Sequence, residues 1–422
     1  MSVVKSGIVL SFSTLTKIVS GLVIIKLIAW KFTPEQFGVL GQLMTAIAIV
    51  SMFAGGGITN GVIKLLASSD SIKSKEETIS AALAICLTFC GIVAILLCIG
   101  AKDLSKFIFG SAAYKGVFLF LAASQIFIGL GNLILAIFSS RGEIWTFTKI
   151  NIYGTLAGLF VLVLMIYIGE FNGAVYGLVF FPAAAGVFSL WNLRTGRVFR
   201  FSRVWIYPDR QLIFLLLSYS MVMLVAVSAL PLAQMLSRNF MGDRVGWGEV
   251  GYWQGVLKIS DVYMQFIGIV LINYALPKFA KCDNPGAILT ELKRILLPLL
   301  CATAVMLMVI YFAKMVIIKL VFNEKFLPMQ DYFLPQLIGD FFRTIASTFT
   351  YFFLAKNNKL LPIGSELFQG IAFFGFTVFL YPTMARMTPV YAHLLTFMSL
   401  AIMMSCCFLF YIKNQFSKAS LQ

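Results

Sequence analysis

The chain has 422 residues, of which 60% are hydrophobic and only 12% charged, with a mean hydropathy of +0.93. Soluble domains carry about 25% charged residues, so a soluble enzyme or binding module is excluded and an all-α polytopic membrane protein is expected. The formal net charge of +16 is spread over short connections between apolar runs, which argues against a nucleic-acid partner.

A bilayer span needs about 20 mostly apolar residues. Such runs recur at 7–31, 38–66, 78–100, 116–138, 147–169, 174–193, 211–237, 250–277, 293–313, 331–355, 360–381 and 390–412. Lys5 precedes the first run with no small-residue cleavage site behind it, so the run is expected to stay as the first helix. Lys17 stands near its middle, with Ser13 and Ser20 at helical spacing on one face, and is read as facing a cavity. Lys26 lies nearer the outer end, where snorkelling to headgroups competes with a cavity role. In the second run Gly55, Gly56 and Gly57 are followed by Asn60, Gly61 and Lys64. Such glycines permit either tight helix packing or local unwinding. Asn60 and Lys64, four apart, share a face near the cytoplasmic end.

The segment 194–210 is the most basic connection and is expected to lie against anionic lipid headgroups. It falls close to the middle and divides the chain into six-helix lobes, residues 1–200 and 201–422. A short echo supports duplication. FTPEQFGVLGQ (32–42) follows the first span and GWGEVGYWQG (246–255) the seventh, each placing a Glu just before a Gly: Glu35 and Gly38, Glu249 and Gly251. With an even number of spans per half, the repeats are related by an axis along the membrane normal, with a central cavity between them. If the N-terminus is cytoplasmic, connections on that side hold 19 of the 33 Lys and Arg, against 10 on the other side, Arg238 and Arg244 among these. That bias puts both termini inside.

Four ionisable residues sit deep in apolar runs of the second half: Lys258 with Asp261, and Asp340 with Arg343, each pair spaced i, i+3. Such residues are costly in hydrocarbon and are read as functional by default. Gln254, Lys258, Asp261 and Gln265 form one polar stripe, and Gln336, Asp340, Arg343 and Ser347 another. Glu366, with Gln369 on its face, is a candidate protonation site, an ion pair with a lysine from another helix being the competing reading. His393, the only histidine, lacks metal-ligand partners in sequence and is read as packing or interfacial rather than as a proton relay. The seven cysteines are scattered, form no CxxC and read as small packing residues. There is no GxxxxGK[ST], HExxH or GxSxG. No enzyme activity, metal or cofactor is expected.

The stretch WGEVGYWQGVLKISDVYMQFIGIVLINYALPKF (247–279) resembles the corresponding helix of the Wzx-type lipid-linked oligosaccharide flippases, the lipid III and O-antigen translocases. GGGITNGVIK (55–64), PQLIGDFF (335–342), SELFQ (365–369), Lys17 and Lys26 add to the likeness, which runs in order over the whole chain. The resemblance implies the multidrug/oligosaccharidyl-lipid/polysaccharide exporter superfamily: two six-helix lobes, alternating access, and ion coupling. It implies movement of an undecaprenyl-diphosphate-linked oligosaccharide across the bacterial inner membrane. Lys17, Lys26, Lys64, Lys258 and Arg343 would meet the diphosphate, and Asn60, Gln254, Gln265 and Gln336 the sugars. Asp261, Asp340 and Glu366 would serve as ion-pair or coupling residues. A monomer working beside polysaccharide polymerase and chain-length proteins is the implied setting. A drug/cation antiporter of the same superfamily would need a mainly acidic cavity. A non-transporting scaffold for polysaccharide assembly would need no charge at midmembrane depth.

Overall fold

The computed structural model describes residues 3–68, 71–195, 209–282 and 284–419, nearly all of them helical. In chain order the α-helices are α1 (Val3–Lys31), α2 (Pro34–Phe53), α3 (Thr59–Ser68), α4 (Ile72–Phe109), α5 (Lys115–Ser140), α6 (Ile144–Thr195) and α7 (Arg210–Val245). They continue with α8 (Trp247–Val270), α9 (Leu276–Ala280), α10 (Pro285–Val321), α11 (Phe333–Ala355), α12 (Leu360–Met384) and α13 (Thr388–Ala419). Among the described residues, eight helical stretches are long and apolar enough to cross a membrane, and two of these, Ile144–Asn192 and Leu360–Phe416, each contain two runs. The chain is an all-helical polytopic membrane protein. The basic segment 194–210 falls almost wholly outside the described residues.

Local chemistry sets the helix ends. Thr33 and Gln36 form a reciprocal cap: the Thr33 N–H donates to Gln36 Oε1 at 3.1 Å and the Gln36 N–H to Thr33 Oγ1 at 3.3 Å, with Pro34 opening α2. Ser71 Oγ accepts from Ser74 N to start α4, and Gly110, left-handed at φ 67°, ends it. Asn284 caps α10 ahead of Pro285.

Three breaks interrupt this pattern. Between α2 and α3, Gly55, Gly56 and Gly57 adopt φ of +81°, +70° and +64°, a left-handed run that only glycine tolerates cheaply. Of the two readings of this run, the chain adopts local unwinding. The 52-residue α6 kinks at Glu170 (φ 47°, ψ −124°), in the gap between two predicted spans. At the end of α8 a π-helical turn, Leu271–Ala275, leads into α9.

The helices fall into two compact units, Met1–Phe32 with Val39–Val225, and Thr33–Gly38 with Ala226–Gln422. In the first unit an apolar core gathers Ile58, Val62, Ile85, Leu133, Ile137 and Leu216 from α3, α4, α5, α7 and the turn before α3. In the second, α11 lies between α8, α10 and α13. The two segments of the sequence echo meet there. A Cβ on Gly38 would lie 2.8 Å from the Trp247 carbonyl oxygen and 3.0 Å from Gly251 N, so the first turns of α2 and α8 touch backbone to backbone.

Candidate functional site

The second unit carries a buried carboxylate that ties three helices together. Asp340 on α11 is fully buried. Its Oδ2 accepts hydrogen bonds from Ser260 Oγ and, at 2.5 Å, from the Tyr263 hydroxyl, both on α8. Gln336 Nε2, one turn back along α11, is 3.4 Å from the same oxygen. On the other oxygen, His393 Nε2 of α13 lies at 3.0 Å and Arg343 Nη1 at 4.0 Å. A buried carboxylate without partners is strongly unfavourable, and this one is ringed by donors on both oxygens. Gly339 makes room for the imidazole: a Cβ there would fall 2.5 Å from His393 Cδ2 and 3.1 Å from the Leu394 Cα.

A more open pair stands beside it. Lys258 Nζ bonds Asp261 Oδ2 at 3.1 Å, with the side chains 23% and 38% exposed. A cavity of about 320 Å³ opens between α8 and α11, lined by Asp261, Met264, Gln265, Arg343, Ser347 and Tyr351 among others. Arg343 is the cation on its wall. Its guanidinium rests 5.2 Å from the Phe397 ring centre and makes only the long contact to Asp340, so much of its donor capacity remains for a ligand. Glu366 on α12 accepts from Gln369 and lies within the electrostatic reach of Arg343.

The two predicted stripes separate by depth. Asp261, Gln265, Arg343 and Ser347 reach the cavity. Gln254, Gln336 and Asp340 are fully buried within the protein. Both amide atoms of Gln254, Gln336 Oε1 and His393 Nδ1 have no hydrogen-bond partner. In the first unit, Lys17 and Lys26 are exposed along α1, and Asn60 and Lys64 along α3. Ser13 and Ser20 are buried, and Lys17 between them on the same helical face stays exposed.

Two residues were misread from the sequence. His393 is neither interfacial nor a plain packing residue; it is buried and bonded to Asp340. A contact between residues 53 positions apart leaves no local trace. Arg238, counted among the loop cations, is 1% exposed inside α7, with its guanidinium 5.3 Å from the Trp253 ring centre and within the field of Asp261. The continuation of α7 to Val245 places it within the helix. Ser260 and Tyr263 were overlooked because neutral hydroxyls do not stand out in an apolar helix.

Comparison with known proteins gives a consistent family. A family model described as polysaccharide biosynthesis protein matches residues 28–331. The chain is 29% identical over 411 residues to the lipid III flippase of Escherichia coli K12, covering 97% of this chain and 98% of that protein. Among solved structures, an inward-facing multidrug resistance MATE family transporter of the MOP superfamily superposes with a TM-score of 0.75 at 14% identity, covering 96% of both chains. The lipid II flippase MurJ, in an inward closed conformation, superposes with a TM-score of 0.73 at 16% identity, covering 98% of this chain and 90% of that one.

Proposed function

Because the chain belongs to the polysaccharide biosynthesis protein family, we propose that it is a flippase. It carries an undecaprenyl-diphosphate-linked oligosaccharide from the cytoplasmic to the periplasmic leaflet of the bacterial inner membrane, by alternating access between lobes 1–200 and 201–422. Its relative at 29% identity bears the name lipid III flippase. The observation that carries the reading is Arg343, an arginine with unfilled donors on a polar cavity wall between membrane helices. Guanidinium forks suit phosphate oxygens, and a low-dielectric site strengthens the contact.

In this reading Arg343 and Lys258 receive the diphosphate, and Lys17, Lys26 and Lys64 are further cations available to it. Gln265 and Ser347 on the cavity wall and the exposed Asn60 meet sugar or phosphate oxygens, and the buried Gln254 and Gln336 do so when their surroundings open. Asp261, Asp340 and Glu366 balance the cations, so that the headgroup can leave again, and carry the coupling ion. Translocation makes and breaks no covalent bond, so the protein acts as a transporter and not as an enzyme. It works as a monomer with both termini cytoplasmic, supplying polysaccharide polymerase and chain-length proteins.

Binding of a short-chain polyprenyl-diphosphate-linked N-acetylglucosamine to the purified protein tests the assignment. Hydrogen bonds to charged groups contribute about 1.5–3 kcal/mol. Arg343→Gln should therefore weaken binding by roughly 10- to 100-fold. Unchanged affinity in a correctly inserted Arg343→Gln protein would remove the diphosphate from this cavity.

A further inference from the structure

We propose that the cavity between α8 and α11 holds a subsite for one pyranose ring beside the anion site of Arg343, with Tyr351 as the platform of the ring and Gly268 leaving the space it fills. The inference rests on the flippase reading and adds to it the part of the headgroup that this cavity selects.

The two walls of the cavity run side by side in the same direction. Ser260 of α8 bonds Asp340 of α11 at one end, and further along the Phe279 and Phe352 rings meet at 5.5 Å. Residue numbers therefore rise together along both walls. On α11, Arg343, Ser347 and Tyr351 line the cavity from successive turns of one face, each about 6 Å along the axis from the last. On α8, Asp261, Gln265 and Gly268 do so from the other side. The cavity is thus charged at its Asp340 end, where Asp261 and Arg343 stand. Next come an amide and a hydroxyl, Gln265 and Ser347, and beyond them Tyr351 and Gly268.

The side chains past Arg343 are uncommitted. Thr344, Thr348 and Thr350 of α11 each donate to the carbonyl four residues back. Among the described residues, Ser347 makes no such bond and Gln265 has no hydrogen-bond partner. The next two aromatic residues on α11 are tied up: Phe352 and Phe353 pack on each other and on Tyr411. Tyr351 is half-buried on the cavity wall, with no ring partner and no hydrogen bond among the described residues. Over Gly268 the space is open, since a Cβ there would meet no atom within 4 Å. A pyranose fits this combination. Its rim of hydroxyls calls for an amide and a hydroxyl, and the C–H bonds on its face suit the electron-rich face of an aromatic ring. At about 320 Å³ the cavity is at the small end of ligand pockets, about 300–1,000 Å³. It therefore takes the diphosphate and the adjoining ring, not a whole oligosaccharide.

Two probes of equal phosphate charge make the test. The full chain in lipid nanodiscs is titrated with farnesyl-diphosphate-linked N-acetylglucosamine and with farnesyl methyl diphosphate, which carries no sugar. Wild type should bind the first more tightly. Tyr351→Ala should weaken the sugar probe by roughly 3- to 10-fold and leave the methyl probe unchanged. Tyr351→Phe keeps the ring and should recover most of the loss. Gly268→Val fills the open space and should show the same selective loss, whereas Arg343→Gln should weaken both probes. Retained binding of the methyl probe shows that the Tyr351 and Gly268 variants are folded. Equal affinity of the wild type for the two probes would overturn the inference and leave the flippase reading in place. So would losses in Tyr351→Ala and Gly268→Val that are absent, or the same for both probes. A wild type that binds neither probe refutes the flippase reading itself, and the inference with it.

Discussion

Asp340 holds α8, α11 and α13 through Ser260, Tyr263, Gln336 and His393, so its removal should be felt first as lost stability. Deleting one member of a buried charged set costs about 3–5 kcal/mol, because the partners are left uncompensated. Asp340→Ala should therefore lower the thermal midpoint of the detergent-solubilised protein far more than Asp261→Ala, whose pair is partly exposed. Equal losses would mean that the node is not structural. Combining Asp340→Asn with Arg343→Gln removes both charges and should recover part of the stability but none of the export. Normal export by a well-expressed double variant would reduce the pair to a structural role. At this scale the sequence showed the charged residues plainly, since Lys258, Asp261, Asp340 and Arg343 stand out against apolar neighbours. It could not show which of them stay wet. Spacing gives a helical face, whereas depth depends on what the next helix brings: Gln254 and Gln265 share a stripe, yet one is fully buried and the other lines the cavity.

Among the elements, the joint between α2 and α3 and the contact of α11 with α13 depend on glycine for different reasons. Gly56 is left-handed at φ +70°, where an L side chain costs about 1–2 kcal/mol. A Cβ there would also meet Ile85 Cγ2 and Phe89 Cδ2 at 3.0 Å. Gly56→Ala should lower the thermal midpoint. Gly339 is helical, and alanine there collides with His393 and the Leu394 backbone; overpacking of this kind costs typically 1–3 kcal/mol. Gly339→Ala should therefore destabilise by a similar amount, and it should also displace His393, changing the single imidazole signal, which Gly56→Ala should leave alone. Identical spectra for Gly339→Ala and wild type would contradict the packing described. The glycine triplet was legible as a weak point, but both packing and unwinding fitted it, because neither φ nor the neighbouring helix is encoded locally. The echo of residues 32–42 and 246–255 hinted at duplication and did not disclose that Gly38 and Gly251 touch. Such a contact joins residues more than 200 positions apart.

For the whole molecule, periodic hydropathy was enough to reveal the helical membrane fold, and the family match over residues 28–331 agrees with the resemblance seen along the chain. Orientation rests on charge. Moving Arg238 from the loops into buried α7 lowers the outer-side count and so strengthens the inward bias. Reporter fusions should place residues 70–76, 194–210 and 356–359 in the cytoplasm and 102–115 and 239–247 in the periplasm. A periplasmic 194–210 segment would overturn the two-lobe reading. Reconstituted vesicles report the movement of a lipid-linked sugar without intermediate steps. A fluorescent short-chain polyprenyl-diphosphate oligosaccharide is placed in both leaflets, and an impermeant quencher reports the fraction that reaches the outer surface. Vesicles containing the protein should expose nearly all of the probe. Empty vesicles, and vesicles with Lys258→Gln and Arg343→Gln combined, should expose only about the half expected for a membrane with no exchange between leaflets. Quenching by the wild type no greater than in empty vesicles, or full quenching by the double variant, would contradict the account.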